Sequence, residues 1–142
     1  MKNKLVIPFI TALASLNSGH AAKAPLSKEK LREQSTHIVL GKVTKVTSKN
    51  SKSKQETSFG IHRDRVYQIS IKITEVRKGE GVKADETIAV GAWRPAVRIP
   101  PLPGVQGHED IPGKGDKVEV FMQLKNRSFT VIVPNGFRIV KE

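Results

Sequence analysis

The sequence predicts an all-β domain with one short N-terminal helix, folded as a small five-stranded antiparallel OB-like barrel. Three observations carry that expectation. Residues 65–76 (RVYQISIKITEV) alternate apolar and polar at period two, with Tyr67, Ile69, Ile71 and Ile73 on one face. Residues 117–124 (KVEVFMQL) repeat the pattern through Val118, Val120, Met122 and Leu124. No helix-length segment separates the strands, so a parallel α/β fold is disfavoured.

The elements follow in chain order. Lys2 and Lys4 precede a 12-residue run at 5–16 (LVIPFITALASL), and residues 17–22 (NSGHAA) are small and polar. That order reads as a signal peptide over 1–22, leaving a single domain over 23–142 and an exported, periplasmic or secreted protein. The apolar run falls short of the roughly 20 residues a permanent span needs, so the mature form is expected to hold no integral span. An uncleaved N-terminal anchor is the alternative. A lipoprotein anchor is excluded, because the chain has no cysteine. Stability therefore rests on a packed core and not on disulfides.

Residues 25–34 (PLSKEKLREQ) read as the helix, with Ser27 as cap and Leu26 and Leu31 as a thin apolar face. The first strand is expected at 37–46 (HIVLGKVTKV), where Gly41 interrupts the alternation as a bulge or bend does. Residues 48–56 (SKNSKSKQE) read as a mobile hairpin tip. After the second strand, residues 78–85 turn into a third strand at 86–90. Residues 113–116 turn into the fourth at 117–124, and residues 125–127 (KNR) make a tight turn into a fifth at 128–133. Phe137 and Ile139 add a final extended piece.

In this order the chain resembles the netrin-like domains related to tissue inhibitors of metalloproteinases. The likeness rests on HIVLGKVTKV with its Gly41 to Val43 step, YQISIKITEVRKGEG with Lys78 and Gly79, and KGDKVEVFM with Gly115, Asp116 and Phe121. It covers residues 37–137. It implies an OB-type barrel and extracytoplasmic contact with protein or glycan. The family's inhibitors reach a catalytic zinc through an N-terminal cysteine, which is missing here, so that mechanism is not implied.

Two binding readings emerge from the residues, and they are kept apart. Residues 91–115 (GAWRPAVRIPPLPGVQGHEDIPGKG) read as one long, proline-stiffened loop around the only tryptophan. Trp93, Arg94, Arg98, Leu102 and His108 then form a recognition patch for an extracytoplasmic protein, since Trp and Arg dominate interface hot spots. The alternative for Trp93 is a plug at one end of the barrel. The second reading is electrostatic. The chain has 25 Lys and Arg against 13 Asp and Glu, and a net charge of +12; loss of Lys2 and Lys4 leaves +10. Lys45, Lys49, Lys52, Lys54, Arg63 and Arg65 crowd one hairpin beside Lys42, opposed only by Glu56 and Asp64. With Phe59 and Tyr67 nearby, this is the composition of a site for an anionic polymer, acidic polysaccharide or nucleic acid.

Chemistry is expected to be absent. There is no cysteine nucleophile, no G-x-S-x-G elbow and no paired carboxylates. His108-Glu109-Asp110 and His62 carry ligand-type side chains, but no zinc spacing joins them, and they read as solvated loop residues. Residues 113–117 (GKGDK) lack the phosphate-loop pattern and read as a turn. No enzyme activity, cofactor or metal is expected.

Overall fold

The computed structural model describes residues 24–54, 56, 59–101 and 106–141. The leader expected at 1–22 and the loop residue Leu102 lie outside the described residues. The described chain is mostly β, with one helix, α1 (Lys28–Gln34), and six strands: β1 (His37–Lys52), β2 (Ile61–Lys78), β3 (Thr87–Ile99), β4 (Lys117–Lys125), β5 (Ser128–Val131) and β6 (Phe137–Ile139). Among the described residues no helix is long and apolar enough to cross a membrane.

Helix α1 starts where Ser27 accepts a hydrogen bond from the Lys30 N–H at 3.2 Å. Glu29 in the first turn and Arg32 in the last suit the helix dipole. Seven residues do not hold a helix unaided. Leu31 anchors it, buried with Ile38, Phe121 and Ile132. The segment before it is fastened by Asn135, which donates to the Leu26 carbonyl at 2.8 Å and accepts from the Leu26 N–H at 3.0 Å.

The strands pair in the order β1-β2-β3-β5-β4, and β4 pairs again with β1, so the cycle of ladders closes. β6 joins the far side of β4. The pairings are antiparallel with one exception: β3 meets β5 in parallel, at Val90 with Phe129 and Gly91 with Thr130. The expectation of a wholly antiparallel arrangement is corrected at β3–β5, and the final extended piece expected at Phe137 and Ile139 is a short sixth strand.

β1 bends to serve two partners. Residues 37–42 pair with β4, and the ladder with β2 runs on to Lys52, with register shifts after Ile38, Leu40 and Val43. The bend needs Gly41. A β-carbon there would stand 2.5 Å from the Lys72 carbonyl oxygen and 2.7 Å from Ile71 Cγ2.

The predicted face of β2 is the core. Ile69, Ile71 and Ile73 are fully buried with Val39, Val43, Val90, Val118, Val120, Met122 and Phe137, and Tyr67 packs at its edge. Each such side chain contributes about 1.5–3 kcal/mol by leaving water. Leu124, expected on the same face of β4, is exposed instead. It pairs with Phe129 one rung before the end of the β4–β5 ladder, next to the turn.

Three boundaries differ from expectation for one reason. The region read as a mobile tip is strand as far as Lys52, β2 begins at Ile61, and β3 continues through Trp93, Arg94 and Arg98 to Ile99. Past the core, these strands pair only with one another. Backbone ladders sustain them, and their partly buried side chains follow no apolar alternation, so no period-two pattern marks them. Pro95 is accommodated at the register shift where Asp64 faces it and Arg63 faces Val97.

The histidines read as solvated are corrected too. His62 lies in β2, and His37, His62 and His108 are all buried.

Candidate functional site

The outboard part of β1, β2 and β3 forms a three-stranded arm, and its register decides which side chains share a face. Directly paired residues project to the same side of a sheet. Lys49 pairs with Val66, and Val66 pairs with Trp93. One row therefore carries Lys49, Val66 and Trp93 across three strands. The next rows inward are Thr47, Gln68 and Gly91, then Lys45, Ser70 and Ala89. This is the outer face, opposite the core residues Ile69 and Val90.

The two binding sites kept apart in the sequence thus share one sheet. Trp93 came from the supposed loop and Lys45 and Lys49 from the basic hairpin. Their neighbours go elsewhere. Arg65 and Arg94 pair with each other on the inner face, in a row with Asn50.

A groove of about 840 Å³ is lined by Thr47, Lys49, Val66, Gln68 and Ala89 of the outer rows, by Tyr67, Ile88, Val90 and Phe129 from the core side, and by Arg127, Ser128 and Thr130 of the β4–β5 turn and β5. A second cleft of about 520 Å³ continues from Thr130 past Trp93 and Gln123 to Leu26. Trp93 is half-buried, and its ring edge lies over Gly107, where a β-carbon would stand 3.1 Å from Cε3. The barrel-plug alternative places it in the interior, whereas its row partners Val66 and Lys49 lie on the outer side.

Arg127 is the groove residue that the sequence reading missed. Asn126 and Arg127 form the two-residue turn, with φ of 49° and 63°. A primed turn of this kind favours Asn-Gly, and a side chain at the second site costs about 1–2 kcal/mol. The arginine sits at the groove rim in spite of that cost. An Asn followed by something other than Gly between two strand patterns was the available signal.

Charge on this face is uncompensated. Among the described residues, Lys45, Lys49 and Arg127 are exposed and form no ion pair. The two carboxylates of the arm are already neutralised. Glu56 bonds Arg63 and lies 3.7 Å from Lys52, and Asp64 accepts from Arg98 at 2.5 Å.

No known protein family, curated protein or solved structure matches this chain. The site must therefore be read from its own residues.

Two residues assigned to the recognition patch are engaged inside the protein. Arg98 donates to Asp64, to the Arg63 carbonyl at 2.8 Å and to Gln106 at 3.0 Å, so it ties Gln106 to the arm. His108 is 1% exposed. Its Nδ1 accepts from the Trp93 N–H at 3.1 Å, which leaves Nε2 to donate to the Val131 carbonyl at 2.8 Å. It bridges β3 to β5 just past the point where their two-pair ladder ends. Burial lowers its pKa from 6.5, partly offset by the bonds to the Val131 and Trp93 carbonyls. Of the hairpin cations, Lys54 follows β1, and Lys52, Arg63 and Arg65 belong to the inner face. Among the described residues no group of three His, Cys, Asp or Glu is placed to hold a metal ion.

Proposed function

We propose that the protein is an exported, non-enzymatic binding module, an OB-like barrel that holds an extended anionic polymer along the outer face of β1, β2 and β3. The observation that carries this is the Lys49–Val66–Trp93 row, which puts a cation and an aromatic ring on one face of the arm, with Lys49 on the groove and Trp93 on the adjoining cleft. Single-strand sites combine these two elements, charge to follow the backbone and rings to stack on. OB barrels use the face of their second and third strands and the loops beside it for oligonucleotides and oligosaccharides. The β4–β5 turn with Arg127 occupies that flanking place. Export favours an acidic polysaccharide as the physiological chain. A protein interface through the 91–115 segment draws less support, since Arg98 and His108 are bonded internally.

The test uses the only tryptophan as reporter. Titration with polygalacturonate and with single-stranded oligodeoxythymidylate should shift its emission, and each polymer should displace the other. Binding that survives Lys49→Glu with Arg127→Glu and leaves Trp93 emission unchanged refutes the groove.

A further inference from the structure

We infer that the tip of the three-stranded arm docks on an anionic lipid bilayer, through an apolar end backed by a collar of cations. The site is separate from the outer groove and does not depend on it.

The apolar end is conspicuous by exposure. Phe59 is 82% exposed, Ile99 57%, Ile61 48% and Val97 36%, and these are four of the seven large apolar residues the described surface leaves open. Ile61 pairs directly with Ile99, at the last rung of the β2–β3 ladder. Phe59 immediately precedes that rung. Exposed apolar clusters of this kind mark contact with a partner or a membrane.

What lies behind the tip identifies the occupant. The inner face is ordered by depth. Ile61 and Ile99 come first. Arg63 follows, in a row with Lys52 and Val97, and then Arg65 with Arg94. Strand rise places these rows about 7 and 14 Å behind the apolar rung. Interfacial anchors sink their apolar side chains about 5–10 Å into the boundary between headgroups and acyl chains, so the cation rows then stand at the level of the lipid phosphates. Arg65 and Arg94 are direct cross-strand neighbours of like charge, and among the described residues neither has an ion-pair partner. Such a pair is destabilising in isolation. A sheet of phosphates removes that repulsion. The arm from 45 to 65 and 92 to 99 carries eight Lys and Arg against Glu56 and Asp64, both paired. A protein partner would need a broad patch, about 800 Å² on each side, whereas a few exposed apolar side chains backed by cations suit a deformable surface.

The experiment places a reporter at the tip. Phe59→Trp is introduced into full-length chain carrying Trp93→Phe. Vesicles contain 30% phosphatidylglycerol in phosphatidylcholine, or phosphatidylcholine alone, with bromine on the acyl chains. The apolar run at 5–16 is common to every variant and does not report at position 59. Tryptophan at 59 should blue-shift and lose at least half its emission on the anionic vesicles, with much weaker quenching on the neutral ones. Ile61→Ser with Ile99→Ser should lower the quenching at least fivefold, and Arg65→Gln with Arg94→Gln should shift the half-point to several-fold more lipid. All four residues are exposed, and unchanged thermal unfolding will confirm that both variants fold. Lys49→Glu with Arg127→Glu, which removes polymer binding, should leave the quenching in place. No quenching at 59 on anionic vesicles, or equal quenching on both kinds, overturns the inference and gives the tip to a protein partner. Loss with the groove variant alone also overturns it, since the lipid headgroups would then be held in the groove.

Discussion

Salt offers the sharpest test of the groove. Two cations, Lys49 and Arg127, line it and a third, Lys45, lies on the same face beside Ser70, all without ion pairs among the described residues. Each contact with a single-stranded polyanion releases counterions and adds about −0.7 to the slope of log affinity against log salt. Three contacts give a slope near −2. Between 50 and 200 mM salt the affinity for an oligodeoxythymidylate should then fall about twentyfold. Lys49→Ala with Arg127→Ala leaves one contact, so the same salt step should cost only about threefold. Trp93→Phe should keep the wild-type slope while weakening binding at every salt concentration, because stacking on a ring adds about 1–3 kcal/mol per base and releases no ions. Fluorescence anisotropy of a labelled oligonucleotide reads all three lines. A double variant with an unchanged slope would show that the charge acts from elsewhere on the protein, and the groove assignment would fail.

Three further outcomes are expected. His108 holds its neutral form in the fold and titrates near 6.5 when unfolded, so the stability it contributes is complete above pH 6.5 and is lost as pH falls through 6.5 toward its lowered folded pKa. Urea unfolding at a series of pH values should show that slope in the wild type and not in His108→Phe. This variant should also lose about 1–3 kcal/mol at neutral pH by leaving the Trp93 N–H and Val131 carbonyl unpaired. Arg127→Gly should raise stability by about 1 kcal/mol through relief of the positive φ, yet weaken polymer binding; a stability loss would refute the strain argument. Gly41→Ala should lower thermal stability by about 1–3 kcal/mol, since its methyl meets the Lys72 backbone at the bend; a neutral result would mean that β1 can relax there.

The core was legible where one face of a strand meets it and the other meets water. Tyr67, Ile69, Ile71 and Ile73 alternate because β2 lies over the interior, and Gly41 announced the bend because no other residue fits against Lys72. Ser27 was legible as a cap for the same local reason. The outboard strands were not. Trp93, Arg94 and Pro95 read as loop because they carry no apolar alternation, and the ladder that makes them strand comes from β2, about thirty residues away. His108 read as solvated because its burial depends on the return of residues 106–108 beneath Trp93, joined by the His108 N–H to the Trp93 carbonyl at 2.9 Å. The likeness of sites was hidden similarly. Lys49 and Trp93 are far apart in sequence, and only the register of two successive ladders makes them neighbours.

The register break after Val43 divides β1 between two kinds of company. Before it, the strand is held on both edges, by β4 and by β2; after it, by β2 alone. Amide protons of the two halves should therefore exchange on different schedules, the first opening only with the whole molecule and the second by local fraying. A ligand laid across the arm would slow the second schedule and leave the first nearly untouched. The hydrogen-exchange map of β1 alone would then measure occupancy, with its own N-terminal half as the internal clock.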